Sequence, residues 1–278
     1  MNTKNKYCFC SRHNQMCELQ PDPDKDCPVC VDYSLMGRRL QETGPSHEVH
    51  VSYYANMRNS KNSVLIIENV TEYKEALVKR ELGGQWDLVS IRVDPRLLGL
   101  PCSRARVFMI CWKREEVRWV CPFTLHSFVE CLRSQVTMNA GAYFFKDLPK
   151  AKLTPSAASN LKDYQEKTSY QYPDLNQICR NGRARGECKD GCLQTLTTNS
   201  GRIFSQAHNR YLEPDEALSS HVLPVTKKQA RDSGSIMLQL GDVARTSQVK
   251  MAGNAMSVPC IGAVMMCAAL GLQKIPQK

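Results

Sequence analysis

Three strand-like segments, the first and third apolar throughout, a capped helix between the first two and an apolar helix near the end of the chain predict an α/β fold. The sheet at its centre should be covered on both faces. Ser63-Val64-Leu65-Ile66-Ile67 is the first run, and its lack of alternation fits a strand without a solvent face. Thr71 then stands where an N-cap belongs, Lys74 to Leu82 reads as a helix, and Gly83-Gly84 stops it. Trp86 to Val93 is the second strand and Val107 to Trp112 the third, again apolar throughout. Ahead of them a helix is expected from about Pro45 to Met57. Residues 1–26 are polar and rich in cysteine and proline, and Gln20 to Asp26 excludes a buried strand there.

Beyond Lys113 the texture changes. Apolar periodicity fades, and Pro149, Pro155 and Pro173 interrupt a polar stretch carrying Lys146, Lys150, Lys152, Lys162 and Lys167. This predicts an irregular module up to about residue 190. Structured character returns near Leu193. Arg210 to Leu218 reads as a strand entering a helix, with Pro214 in its first turn. Ala252 to Pro259 is read as a small-residue turn before a last helix around Ile261 to Leu270. The resulting divisions are 1–26, 27–112, 113–190 and 191–278.

The net charge of +10 favours a polyanion or an acidic surface as partner. Fourteen cysteines raise the question of a disulfide scaffold. No secretory signal precedes them and many sit in apolar contexts, so reduced, buried thiols in an intracellular protein are expected. No stretch reaches the roughly 18 apolar residues of a membrane span.

Cys30 opens the loop Cys-Val-Asp-Tyr-Ser-Leu-Met-Gly, where a following helix would favour its thiolate. The spacing leaves two other meanings open. Cys27 and Cys30 form a Cys-x-x-Cys with Cys8, Cys10, His13 and Cys17 upstream, enough ligands for zinc, and an inert buried thiol fits equally. Glu68 follows directly on the first strand, where a carboxylate faces a ligand crevice or serves as a capping or salt-bridged acid. Arg104 and Arg106 alternate before the third strand, which puts both on one face.

Singly these signals are weak; their order is specific. Val29-Cys30-Val31-Asp32-Tyr33-Ser34-Leu35-Met36-Gly37, Ile67-Glu68-Asn69-Val70, Ser103-Arg104-Ala105-Arg106-Val107-Phe108, the stretch from Thr195-Leu196-Thr197-Thr198 to Arg210-Tyr211-Leu212-Glu213-Pro214, and Gly253-Asn254-Ala255 together resemble the DNA cytosine-5 methyltransferase family. The resemblance runs from about Cys27 to Leu270. It implies an incomplete Rossmann-like methyltransferase sheet, with an irregular target-recognition region inserted before the C-terminal segment. It further implies DNA as partner, nuclear location in a eukaryote, and S-adenosylmethionine as methyl donor. Cys30 would attack carbon 6 of a flipped cytosine, Glu68 would protonate N3, and Arg106 with Arg104 would hold O2 and a phosphate. Asn254 and Ala255 would close the cofactor pocket, while Ser34 and Arg210 would face the DNA.

The departures are as informative. Val29 stands where the family has proline, Cys102 where it has glutamine, Ala255 where it has serine and Glu213 where threonine is frequent. His221-Val222-Leu223-Pro224 replaces Gln-Gly-Phe-Pro. The family's glycine-rich Phe-x-Gly-x-Gly loop has no counterpart, so the expectation is a fragment or a degenerate relative, with an incomplete cofactor site. A non-catalytic nucleic-acid-binding module is the competing expectation.

Overall fold

The computed structural model describes residues 39–179, 191–199 and 201–276, the pair Asp32 and Tyr33, and the backbone of 7–10 and 15–18. Cys27, Cys30, Ser34 and His13 lie outside the described residues, and so do the zinc and nucleophile readings that depend on them.

A hairpin of β1 (Tyr7–Cys10) and β2 (Gln15–Glu18) comes first. Helix α1 (Ser46–Arg58) leads to β3 (Val64–Val70), α2 (Glu75–Leu82), β4 (Trp86–Val93) and β5 (Arg106–Lys113). These three strands form a sheet in the order β3-β5-β4, with β5 antiparallel to both neighbours. The last strand of the three is therefore the central one. Its apolar run has a direct cause, because successive side chains point to opposite faces and both faces are covered. Val107, Met109 and Cys111 pack with Leu65, Ile67, Tyr54, Leu77 and Val78 from the side of α1 and α2. Phe108, Ile110 and Trp112 pack on the other face. Each such side chain contributes roughly 1.5–3 kcal/mol of burial.

That second face is closed by later segments. β6 (Val117–Trp119) and α3 (Leu125–Cys131) follow β5 directly, and α3 packs on β4. Near the far end of the chain, α8 (Val258–Gly271) packs on β5 and α3, and β9 (Leu272–Lys274) pairs with β6. Val64 and Ile66 of β3 lie at the margin of this layer, half-buried. The outward side of α8 is apolar and bare, with Val258, Met265, Met266 and Leu270 exposed.

The chain between α3 and α8 builds separate packing regions. Helix α4 (Pro155–Lys167) is capped by Thr154, whose hydroxyl accepts from the Ala157 N–H, with proline in its first turn. Tyr164 and Ala157 of α4 bury against Leu175, Cys179 and Phe204. Phe204 belongs to β7 (Phe204–Ser205), which pairs with β8 (Arg210–Tyr211). Then come α5 (Pro214–Ser219), α6 (Lys227–Ser233) and α7 (Arg245–Asn254). No single helix among the described residues is long and apolar enough to cross a membrane.

Two local expectations are corrected. Thr71 does not cap α2: its hydroxyl donates to Glu72, the Tyr73 N–H bonds back to Val70, and the turn so made buries Tyr73. The helix begins only at Glu75, with Lys74 in the N-cap position. The segment before the last helix is likewise not simply a turn, because α7 runs through Asn254 and only residues 255–257 form the joint to α8.

Candidate active site

Antiparallel pairing brings both outer strands to the same end of the sheet. Val70 of β3 and Val93 of β4 each stand opposite Arg106, the first residue of β5. Glu68 lies one pleat back from Val70 and shares a strand face with it. The Arg106 Nε is 3.1 Å from Glu68 Oε1, and the two side chains are only 16% and 14% exposed. The Arg106 N–H is not aligned for a hydrogen bond to that oxygen, so Oε1 stays open to another donor. Burial pushes the Glu68 carboxyl above its ordinary range, against the opposing charge of Arg106 and then Arg104. An acid shifted this way retains its proton to higher pH, as a proton donor requires.

Arg104 plays a different part from Arg106. It is buried, and its guanidinium donates to the Leu196 carbonyl at 3.2 Å and the Gly253 carbonyl at 3.1 Å. It thereby ties the Thr-Leu-Thr-Thr stretch to the end of α7. These two backbones touch closely: a Cβ on Gly253 would lie 2.3 Å from the Thr197 carbonyl carbon and the Thr198 nitrogen. Glycine is required there for contact, whatever its torsion. The Leu193 N–H bonds to Pro101, and the Ser103 N–H to Leu193, which lays the same stretch beside the arginine segment. Four of the five matched segments thus meet around Arg104.

The fifth, holding Cys30, is anchored nearby in sequence. Asp32 accepts from both the N–H and the hydroxyl of Ser46 at the start of α1, at 2.9 and 2.5 Å. A Cβ on Gly44 would lie 2.3 Å from the Asp32 carboxyl carbon, so this docking needs glycine as well. Tyr33 packs edge-on against His50 and Tyr73, whose ring polar atoms are joined at 2.7 Å.

His221 belongs to the cluster although the sequence marked it only as a departure. It is buried at the end of α5; its Nε2–H donates to the Ala252 carbonyl at 2.9 Å, and the Val258 N–H bonds to its own carbonyl. A carbonyl only accepts, so the proton sits on Nε2 and the buried Nδ1 carries a lone pair with no partner among the described residues. Burial, then the charges of Arg104 and Arg106, lowers its pKa to about 3. The unfolded chain therefore binds a proton that the folded one refuses, and stability present above pH 6.5 is lost as pH falls toward 3. At ~1.4 kcal/mol per unit this amounts to a few kcal/mol. His221→Gln keeps a donor for Ala252 without titrating. In urea unfolding at pH 7 and pH 4, the stability gap between the two pH values should shrink for the variant.

Arg210, expected on the DNA side, points inward. Its guanidinium holds Glu216 through two 2.8 Å bonds and donates to the Lys146 carbonyl at 2.7 Å and the Tyr211 carbonyl at 3.1 Å. Four of its five N–H groups bond inside the protein, and the pair joins β8 to α5. Asn254 is exposed at the end of α7, and Ala255 is half-buried in the joint. One exposed amide and a short backbone joint do not by themselves hold a charged sulfonium nucleoside, so no step is derived through S-adenosylmethionine. Of the lysines in the polar stretch after Lys113, Lys146, Lys162 and Lys167 pair with Asp215, Glu166 and Asp163. Lys150 and Lys152 are exposed and make no ion pair among the described residues.

No family sequence model matches the chain, and no curated protein matches it in sequence. Solved structures do match. The Entamoeba histolytica methyltransferase EhMeth aligns with a TM-score of 0.53 at 16% identity, over 88% of this chain and 76% of that one. A protein named as a DNA modification methyltransferase encoded within an E. coli prophage aligns at 0.51 and 15% identity, over 86% and 76%. The mixed α/β chain has a DNA-methyltransferase-like fold.

Proposed function

We propose that this chain is a cytosine-5 DNA methyltransferase homologue that retains the base-activating half of the chemistry. The observation that carries the reading is the half-buried Glu68–Arg106 pair at the end of the sheet, with the matched segments gathered around the adjoining Arg104. In this reading the Cys30 thiolate adds to carbon 6 of an extruded cytosine. The electron pair of the 5,6 double bond moves toward N3 and O2, and Glu68 delivers its proton to N3. Arg106 faces the charge that accumulates at O2. The resulting enamine is nucleophilic at carbon 5. S-adenosylmethionine is the methyl source the family likeness implies. Arg104 acts as the strut that keeps Arg106 and the α7–α8 joint in register.

The activation step has a signature that needs no methyl donor. An enamine at carbon 5 takes a solvent proton there, and reversal of the addition then releases the hydrogen that carbon 5 originally carried. DNA labelled with tritium at carbon 5 of cytosine should lose label to water in the presence of the protein, and Cys30→Ser should abolish the loss. Label release that survives Cys30→Ser would place the nucleophile elsewhere. The sparse cofactor joint favours a second reading, a nucleic-acid-binding module without turnover. DNA binding by the protein with no label release would select it.

A further inference from the structure

A second site lies outside the Glu68 cluster and shares no residue with it. A cavity of about 710 Å³ opens where the turn at residues 139–141, the end of α4 and the turn between β7 and β8 meet. Among the described residues no Lys, Arg, Asp or Glu lines it; its walls are the amides of Asn139, Gln165, Gln171 and Gln206 with Tyr172 and His208. A purely apolar ligand would strand the amides, so a neutral polar one suits these walls best.

The amides are held in fixed senses. Asn139 Oδ1 accepts from the Gly141 N–H at 2.8 Å and from the Tyr172 hydroxyl, so its Nδ2 is the donor to Gln171 Oε1, at 2.8 Å. That leaves Gln171 Nε2 as a donor with no partner among the described residues. Gln165 Nε2 donates to Gln206 Oε1 at 3.1 Å, while Gln206 Nε2 donates to the Tyr170 carbonyl at 2.6 Å. Gln165 Oε1 is thus left as an open acceptor. The wall beneath is rigid: Tyr172 and His208 both stack on the buried Phe144, at 5.6 and 5.2 Å between ring centres. Position 191 is also fitted to the site. Gly191 has a φ of +69°, and a Cβ there would lie 2.4 Å from Asn139 Nδ2.

We propose that this cavity receives an unpaired adenine of the nucleic acid. The cavity wall offers one open amide donor, Gln171 Nε2, and one open amide acceptor, Gln165 Oε1, the two functions that a side-chain amide uses toward the ring nitrogen and amino group of adenine. The volume admits a purine with room to spare, and an extruded or bulged base supplies the accessible edge. The inference rests on the reading that the chain binds DNA, and it adds a base-recognition site to it.

The test uses the full chain and fluorescein-labelled duplexes with and without one bulged adenine, read by anisotropy. The bulge should tighten binding by about tenfold. Gln165→Leu and Gln171→Leu should each remove most of that gain and leave affinity for the plain duplex unchanged; both side chains are exposed, so folding is not at stake. Equal affinity for the two duplexes, or equal loss on both in the variants, would overturn the proposal. A companion titration with adenosine separates this failure from failure of the DNA reading. If neither duplex binds but adenosine shifts the side-chain amide resonances of Gln165 and Gln171, the cavity stands as an adenine site and the DNA reading falls. If adenosine moves neither resonance and the bulge gives no gain, the cavity is not an adenine site.

Discussion

Glu216→Ala is expected to lower folding stability by about 3–5 kcal/mol, because it strands a buried guanidinium. Glu216 is fully enclosed and Arg210 nearly so, with the Arg210 guanidinium also stacked 5.1 Å over Phe144. The same carboxylate accepts the N–H groups of Lys146 and Glu213, each within 2.9 Å. Its removal leaves a buried cation without a counter-ion, held only by the Lys146 and Tyr211 carbonyls, and two backbone donors without partners. A shift in the urea midpoint measures the loss. Glu216→Gln, which keeps an acceptor, should cost less than Glu216→Ala. Equal tolerance of both changes would mean that the pair relaxes toward solvent and that Arg210 is freer than its geometry shows.

Glu68→Gln is expected to slow tritium release from carbon 5 by about 10²–10⁴-fold, the range for losing one positioned proton donor. The amide keeps the size and half of the hydrogen-bonding capacity of the acid, so the fold should survive. The linkage has a definite sign. Because the folded pKa of Glu68 is raised above 4.5, its contribution to stability is complete below pH 4.5 and is lost as pH rises through the raised value. The glutamine variant lacks that decline, so above this window it should be as stable as the parent or more stable. An exchange defect accompanied by lost stability would instead assign Glu68 to the scaffold.

The parts of the fold that were legible in the sequence are those set by local pattern. β3, β4 and β5 follow from their apolar runs, and the stop of α2 follows from Gly83, whose φ is +77°. Strand order was not legible, because register is a property of distant partners. Lack of alternation marks both β3 and β5, yet only β5 has neighbours on both edges. The fading periodicity after Lys113 hid β6 and α3, which are short and pack on the sheet through Val117, Leu125 and Val129. α7 escaped because its sequence carries no clear apolar face and buries only Ala252.

The candidate site shows the same division. Motif order drew attention to Glu68, Arg104 and Arg106, and the structure brings these three together at one end of the sheet. Their distinct jobs came only from contacts, since two arginines in one motif look alike until one is found spanning two carbonyls. His221 had no sequence signal beyond replacing an expected residue; its place follows from how the end of α5 meets α7. Arg210 stands in a matched segment, yet the acid that holds it, Glu216, lies six residues on and was read as part of a helix.

The placement of the central strand also bears on how the chain is made. β3 and β4 do not pair with each other; each needs β5, which leaves the ribosome last of the three. At roughly 5–20 residues per second, the nascent chain carries the bare β-branched run at 64–67 for seconds before its partner arrives. Until residue 113 has been made, that apolar run is open to a holding chaperone or to pairing with the wrong strand.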